Sequence, residues 1–135
     1  MHVRDGMSSM VLTVGPGHTL RHVAKLMSER RVGAAVVIDP EAAGPAIITE
    51  RDILEAVGTG QDPDQETVAT HLTSDLVYAT PEWSLEQAAS EMTKRGFRHL
   101  VVYDGSEIAG ILSMRDIVRC WTSDGAVSEL DGAPA

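Results

Sequence analysis

Two stretches of the chain carry the same polar groups in the same order. Thr49-Glu50-Arg51-Asp52 and Ser113-Met114-Arg115-Asp116 each set a hydroxyl, a cation and a carboxylate behind an apolar pair, Ile47-Ile48 in one case and Ile111-Leu112 in the other. A hydroxyl three residues before an acidic side chain has the spacing of a capping box. The hydroxyl accepts from an N–H of the first helical turn, and the acid accepts from the N–H of the cap residue. Asp is shorter than the usual Glu or Gln, so an incomplete box is expected. The same place can do more. A helix start has unpaired N–H groups and the positive end of the helix dipole, which together attract phosphate. Thr49 or Ser113 adds a hydroxyl there, and Arg51 or Arg115 adds a fixed charge. The Asp would repel phosphate but can accept from vicinal hydroxyls. The triplet therefore suits a ribose bearing a phosphate. Cap and ligand site are compatible uses of one motif.

Other chemistry finds little support. Of the five histidines, His2, His18, His22, His71 and His99, only His18 and His22 lie four apart, and zinc needs three or four convergent ligands, so no metal site is expected. The single cysteine, Cys120, excludes an internal disulfide and lies beside Trp121 in an apolar helical stretch with no base to activate it. No acid–base or nucleophile constellation stands out beyond Asp52 and Asp116, so the expectation is a protein that is not an enzyme and has no cofactor. The net charge of −9 disfavours nucleic acid, which needs a basic face. No apolar run is long enough to span a membrane, and MHVRDGMSS is not a secretory signal, so a cytoplasmic location is expected.

The echoed motif is part of a longer repeat. Shifted by 65 positions, Val3 falls on Val68, Leu12 on Val77, Pro16 on Pro81, Leu20 on Leu85 and Met27 on Met92. VVID at 36–39 meets VVYD at 101–104. One residue then drops out of the second copy, after which Ile47 meets Ile111 and Arg51-Asp52 meets Arg115-Asp116. Each copy reads strand–helix–strand–strand–helix. VLTV (11–14) and LVYA (76–79) are short apolar runs. Thr19 and Ser84 are helix caps, Ser84 with Gln87 three residues on. Leu20, Val23, Ala24, Met27 and Leu85, Ala88, Ala89, Met92 recur at helical spacing, with Gly33 and Gly96 marking the helix ends. Arg30-Arg31 and Lys94-Arg95 suit the negative dipole end. Trp83, just before its cap, reads as a packing residue. AAVVI (34–38) and HLVVY (99–103) are strands, followed by turns, AII and IAGIL strands, and the helices ERDILEAV and MRDIVRCW.

The predicted fold class is α+β, with two β-α-β-β-α repeats packed as a pseudo-twofold pair. Residues 1–60 form the first repeat with its N-terminal segment. Residues 61–122 form the second with a polar linker at 58–66, and 123–135 form a disordered tail. A half of about sixty residues is marginal alone, which predicts that the two share a buried face with a cleft along the axis.

The residues VRDGMSSMVLTVGPGHTL, RVGAAVVID and ITERDI, with ATHLTSDLVYATPEWSL, GFRHLVVYDG and GILSMRDI in the second half, resemble tandem cystathionine β-synthase (CBS) domains, a regulatory pair known as a Bateman module. The resemblance covers residues 3 to about 121. It implies clefts that bind an adenine-containing ligand: AMP, ATP, NAD, S-adenosylmethionine or cyclic di-AMP. In the second site it implies Val77, Tyr78, Ala79 and Pro81 around the base, Arg98, His99 and Leu100 as the opposite wall, and Ser113, Arg115 and Asp116 on phosphate and ribose. In the first site it implies Thr13, Val14, Val32, Gly33, Ala34, Ala35, Thr49, Arg51 and Asp52. It further implies a homodimer whose output is either a separate effector protein that reads the relative orientation of the halves or ligand buffering.

The halves are not equal. Gly110 precedes the apolar pair in the second, where the first has Ala46 after a longer loop with Pro45. The second has Arg98-His99 where the first has Gly33-Ala34. The extra cation favours the second site, while small residues at 33–35 leave room for a base in the first. Arg119 is a further candidate to reach the cleft. The competing reading is a dimeric protein-interaction module whose clefts stay empty, blocked by side chains such as Tyr78 or Ile47.

Overall fold

The computed structural model describes residues 1–125. The helices are α1 (Val3–Gly6), α2 (Leu20–Arg30), α3 (Glu50–Gly58), α4 (Leu85–Arg95) and α5 (Met114–Cys120). The strands are β1 (Thr13–Val14), β2 (Ala34–Val37), β3 (Ala46–Thr49), β4 (Tyr78–Ala79), β5 (His99–Asp104) and β6 (Glu107–Ser113). They form two three-stranded sheets in the orders β1-β2-β3 and β4-β5-β6. In each sheet the first pair is parallel and the second antiparallel. The α+β class with two like repeats is thus what the chain adopts.

The compact units are cut differently from the sequence repeats. One unit is Val11–Leu76; the other joins Met1–Met10 to the chain from Val77 on. Each repeat's leading segment therefore packs with the other repeat's sheet. Val3 is fully buried in the core of the second unit, and its counterpart Val68 in the core of the first. In the second unit the Val3 N–H donates to Trp83 O at 2.8 Å and the Leu85 N–H to Met1 O at 3.2 Å. In the first, the Leu20 N–H donates to Glu66 O and the Arg21 N–H to Pro63 O, both at 3.0 Å. Residues 58–66 are accordingly a folded part of the first unit rather than a free linker. Arg21 and Asp64 form an ion pair that holds them.

The helical stripes bury as their spacing requires. Leu20, Val23 and Met27 of α2 face a core with Leu12, Val14, Ala35, Val37 and Ile48; Leu85, Ala88 and Met92 of α4 face one with Ala79, Leu100, Val102, Leu112 and Ile117. Each fully buried aliphatic side chain contributes about 1.5–3 kcal/mol. Trp83 is half-buried against the second core, as a residue before a cap often is. Thr19 and Ser84 cap α2 and α4, accepting from the His22 and Gln87 N–H at 3.2 and 3.0 Å.

Two expectations change at the helix ends. Gly96 does end α4 in the left-handed conformation, with φ 71°. In α2 that role falls to Arg31, φ 56°, two residues before Gly33. A side-chain-bearing residue there meets its own carbonyl closely, and the left-handed conformation costs about 1–2 kcal/mol relative to the right-handed one. The tail expected over 123–135 meets the structure only at residues 123–125, which continue α5 as part of a π-helical turn, Trp121–Gly125. Its remainder lies outside the described residues.

Candidate functional site

Both echoed motifs form complete capping boxes at strand-to-helix junctions. In the first unit Thr49 ends β3. Its N–H donates to Asp52 Oδ2 at 2.9 Å, its hydroxyl donates to the same oxygen at 3.0 Å, and the Asp52 N–H donates to Thr49 Oγ1 at 3.3 Å. In the second, the Ser113 N–H donates to Asp116 Oδ2 at 2.8 Å and the Asp116 N–H to Ser113 Oγ at 3.0 Å. The short Asp side chain therefore closes the box, contrary to the expectation of an incomplete one. Asp5 closes the same bond at the start of α1, its Oδ2 accepting from the His2 N–H at 2.7 Å.

Neighbouring strands bring the second motif residues together. The Glu50 N–H donates to Gly33 O at 2.9 Å, and the Met114 N–H to Arg98 O at 2.8 Å. Gly33 and Arg98 thus flank matching helix starts. Ala34 pairs with Thr49, and His99 with Ser113. Arg98, His99, Ser113, Arg115 and Asp116 cluster at one end of the second sheet; Val32, Gly33, Ala34, Thr49, Arg51 and Asp52 do so in the first.

Strand alternation sorts the remaining predicted residues. Leu100 and Ala79 belong to the second core, and Val14 and Ala35 to the first. Their side chains cannot reach a ligand, so only their backbone could. Val77 is half-buried against the same second core, and Pro81 is buried with its carbonyl accepting from the Arg4 N–H at 3.1 Å. The opposite face of the second sheet carries Tyr78, Val101, Tyr103 and His99; that of the first carries Thr13, Ala34, Val36, Ile47 and Thr49. Tyr78 packs edge-on against Tyr103 with ring centroids 4.9 Å apart. Burial, with a smaller contribution from Tyr78, holds the Tyr103 phenol above its ordinary value. Tyr103 is not among the residues expected at the site, yet its place two residues beyond Val101 puts it on this face.

The electrostatics of the two helix starts are opposed. On α3, Glu50, Asp52 and Glu55 stand against Arg51; on α5, Arg115 and Arg119 stand against Asp116. Glu50 also folds over Gly33: a β-carbon there would lie 3.2 Å from its carboxylate. The second unit has Arg98 and Met114 at these two positions. Arg119 donates to Asp116 Oδ1 at 2.9 Å and to Gly6 O at 3.2 Å. Asp116 keeps 19 % of its side chain exposed. Among the described residues no group of three or more His, Cys, Asp or Glu is placed to hold a metal, and no helix is long and apolar enough to cross a membrane. Cys120 is buried against α1, with its Sγ 3.9 Å from Asp5 O.

Fold and site together define a tandem pair of small α+β modules, each presenting the capped start of its second helix beside a strand end. The CBS domain family model matches residues 2–59 and 68–122. The chain belongs to the CBS-domain family, as two CBS domains in tandem. It is 33 % identical over 116 residues to the CBS domain-containing protein YhcV of Bacillus subtilis, covering 85 % of this chain and 81 % of that one. A crystal structure of a CBS-domain-containing protein from Agrobacterium tumefaciens superposes with a TM-score of 0.79 at 30 % identity, covering 89 % of this chain and 98 % of that one. The CBS domain pair of protein MJ0100, in complex with 5′-methylthioadenosine and S-adenosyl-L-methionine, shares the fold with a TM-score of 0.78 at 21 % identity, covering 90 % and 95 %. CBS-domain pairs are regulatory modules.

Proposed function

We propose that this chain is a non-catalytic sensor of an adenine nucleotide of the AMP or ATP type, held chiefly at the second unit. The observation that carries this reading is the arginine-bearing helix start at Asp116. Asp116 pairs with Arg119, Arg115 precedes it on α5, and the Met114 N–H donates to the carbonyl of Arg98, while the matching places of the first unit include Glu50 and Glu55. Ser113 lies beside the phosphate, Asp116 takes the ribose, and Tyr78, backed by Tyr103, offers an aromatic edge and face to the base. Differential affinity for one arrangement of the two repeats carries the signal, and a separate effector protein reads it. The working unit is a homodimer: Leu54 on α3 and Val118 on α5 occupy matching positions and are 71 % and 51 % exposed, as apolar residues awaiting a second copy would be.

The test is thermal unfolding with AMP, ADP, ATP, NAD, S-adenosylmethionine and cyclic di-AMP. A ligand at 100 times its dissociation constant stabilises one site by about 2.7 kcal/mol. In a chain of this size that raises the midpoint by about 10 °C. A rise with a phosphorylated member supports the reading; no rise with any member at millimolar concentration overturns it. One observation favours a ligand-free interaction module instead: both capping boxes close on themselves, and Arg119 already pairs with Asp116. A flat panel with an intact dimer is the result that reading expects.

A further inference from the structure

We propose that Arg119 is a positioning residue that fastens the N-terminal segment to Asp116, so that occupancy of this carboxylate is felt by residues 3–8. One guanidinium nitrogen, Nη2, makes both contacts: Asp116 Oδ1 at 2.9 Å and Gly6 O, the end of α1, at 3.2 Å. Asp116 meanwhile receives the Ser113 N–H on its other oxygen. The carboxylate is therefore held from two sides, one of them anchored in the leading segment. That segment continues to Ser8, whose N–H and carbonyl pair with Ile111 of β6 at 2.9 and 3.0 Å. A donor added to Asp116 fixes the carboxylate further. The fixed carboxylate holds Arg119, and Arg119 holds Gly6 O, which is a positive coupling between ligand and segment.

The arrangement belongs to the second unit. Its counterpart in the first would join Glu55 to the carbonyl of His71, and a carboxylate has no proton to donate there. His71 instead pairs through its ring with Glu66 at 2.8 Å. Room differs as well. A β-carbon on Gly6 would lie 2.9 Å from Cys120 Sγ, so α1 approaches α5 closely enough for the guanidinium to span them. At the matching places the first unit has Ala56 and His71 in place of Cys120 and Gly6.

The fastening of α1 stands without a ligand; its coupling to occupancy rests on nucleotide binding at Asp116. Hydrogen exchange separates the two. In the unliganded protein, Arg119→Gln speeds exchange of the Val3–Ser8 amides by about two- to fivefold, the scale of a partly exposed ion pair, while α4 amides stay unchanged. Arg119→Lys restores part of the protection. AMP slows the same amides in the wild type, and at equal occupancy, with AMP raised as far as calorimetry shows Arg119→Gln to need, this slowing is lost in the variant. Unchanged exchange in the unliganded variant overturns the fastening. Equal slowing by AMP in variant and wild type overturns the coupling. AMP failing to bind the wild type overturns the coupling together with the nucleotide reading, and leaves the unliganded comparison to decide the fastening.

Discussion

At the start of its second helix the first unit sets Glu50, Asp52 and Glu55 against Arg51, and the second sets Arg115 and Arg119 against Asp116. The backbones at these places match bond for bond: a cap residue ending a strand, a closed box, and an N–H from the next residue to the carbonyl of Gly33 or Arg98. Fold has been kept and charge has not. A feature retained in both copies, such as the capping box, is explained by stability alone. A feature present in one copy, such as Arg98 and Arg119 where the first unit has Gly33 and Glu55, is not explained by the shared fold and is the better pointer to a ligand.

Matched substitutions sharpen the comparison. The largest effect falls where the units are alike. Leu20→Ala and Leu85→Ala remove equivalent, fully buried side chains, and each costs about 2–5 kcal/mol in denaturant unfolding. A cost in one and not the other would break the equivalence of the two cores. Next comes a position where they differ. A β-carbon on Gly110 would lie 2.5 Å from Ser8 O, so Gly110→Ala forces the leading segment away from β6 and costs about 1–3 kcal/mol. The first unit carries Ala46 at the matching place and still pairs Thr73 with Ile47, so tolerance of Gly110→Ala would show that the two segments dock alike. The smallest effect lies at the ends of α2 and α4. Arg31→Gly relieves a left-handed residue and stabilises by about 1 kcal/mol, whereas Gly96→Ala destabilises by a similar amount. Calorimetric midpoints moving in the same direction would contradict this.

What was legible in the sequence was local. The repeat, the capped helices and the hydroxyl–Arg–Asp motifs all rest on spacings within one turn or one strand. The exchange of leading segments was not legible, because Val3 finds Trp83 only through the tertiary fold. Nor was the side on which a strand residue stands. Leu100 and His99 are neighbours in sequence, and only the register with β6 places the first in the core and the second beside Ser113. Arg31 in place of the expected Gly33 shows a further limit. This helix ends in the left-handed region without glycine, its cap N–H bonding the carbonyls of Met27 and Ser28, and the nearest glycine misplaces the stop by two residues.

The central claim is that phosphate-bearing ligand binds at the arginine-bearing helix start that holds Asp116, and titration calorimetry with AMP on two matched variants tests it most directly. Asp116→Asn and Asp52→Asn both keep an oxygen that can accept the cap N–H, so both boxes can still form. The account predicts that Asp116→Asn weakens AMP binding at least about tenfold, the loss of about 1.4 kcal/mol expected when a charged acceptor of ribose hydroxyls becomes neutral, and that Asp52→Asn leaves it within about twofold. Loss of binding in Asp52→Asn with retention in Asp116→Asn would contradict it and move the ligand to the acidic unit.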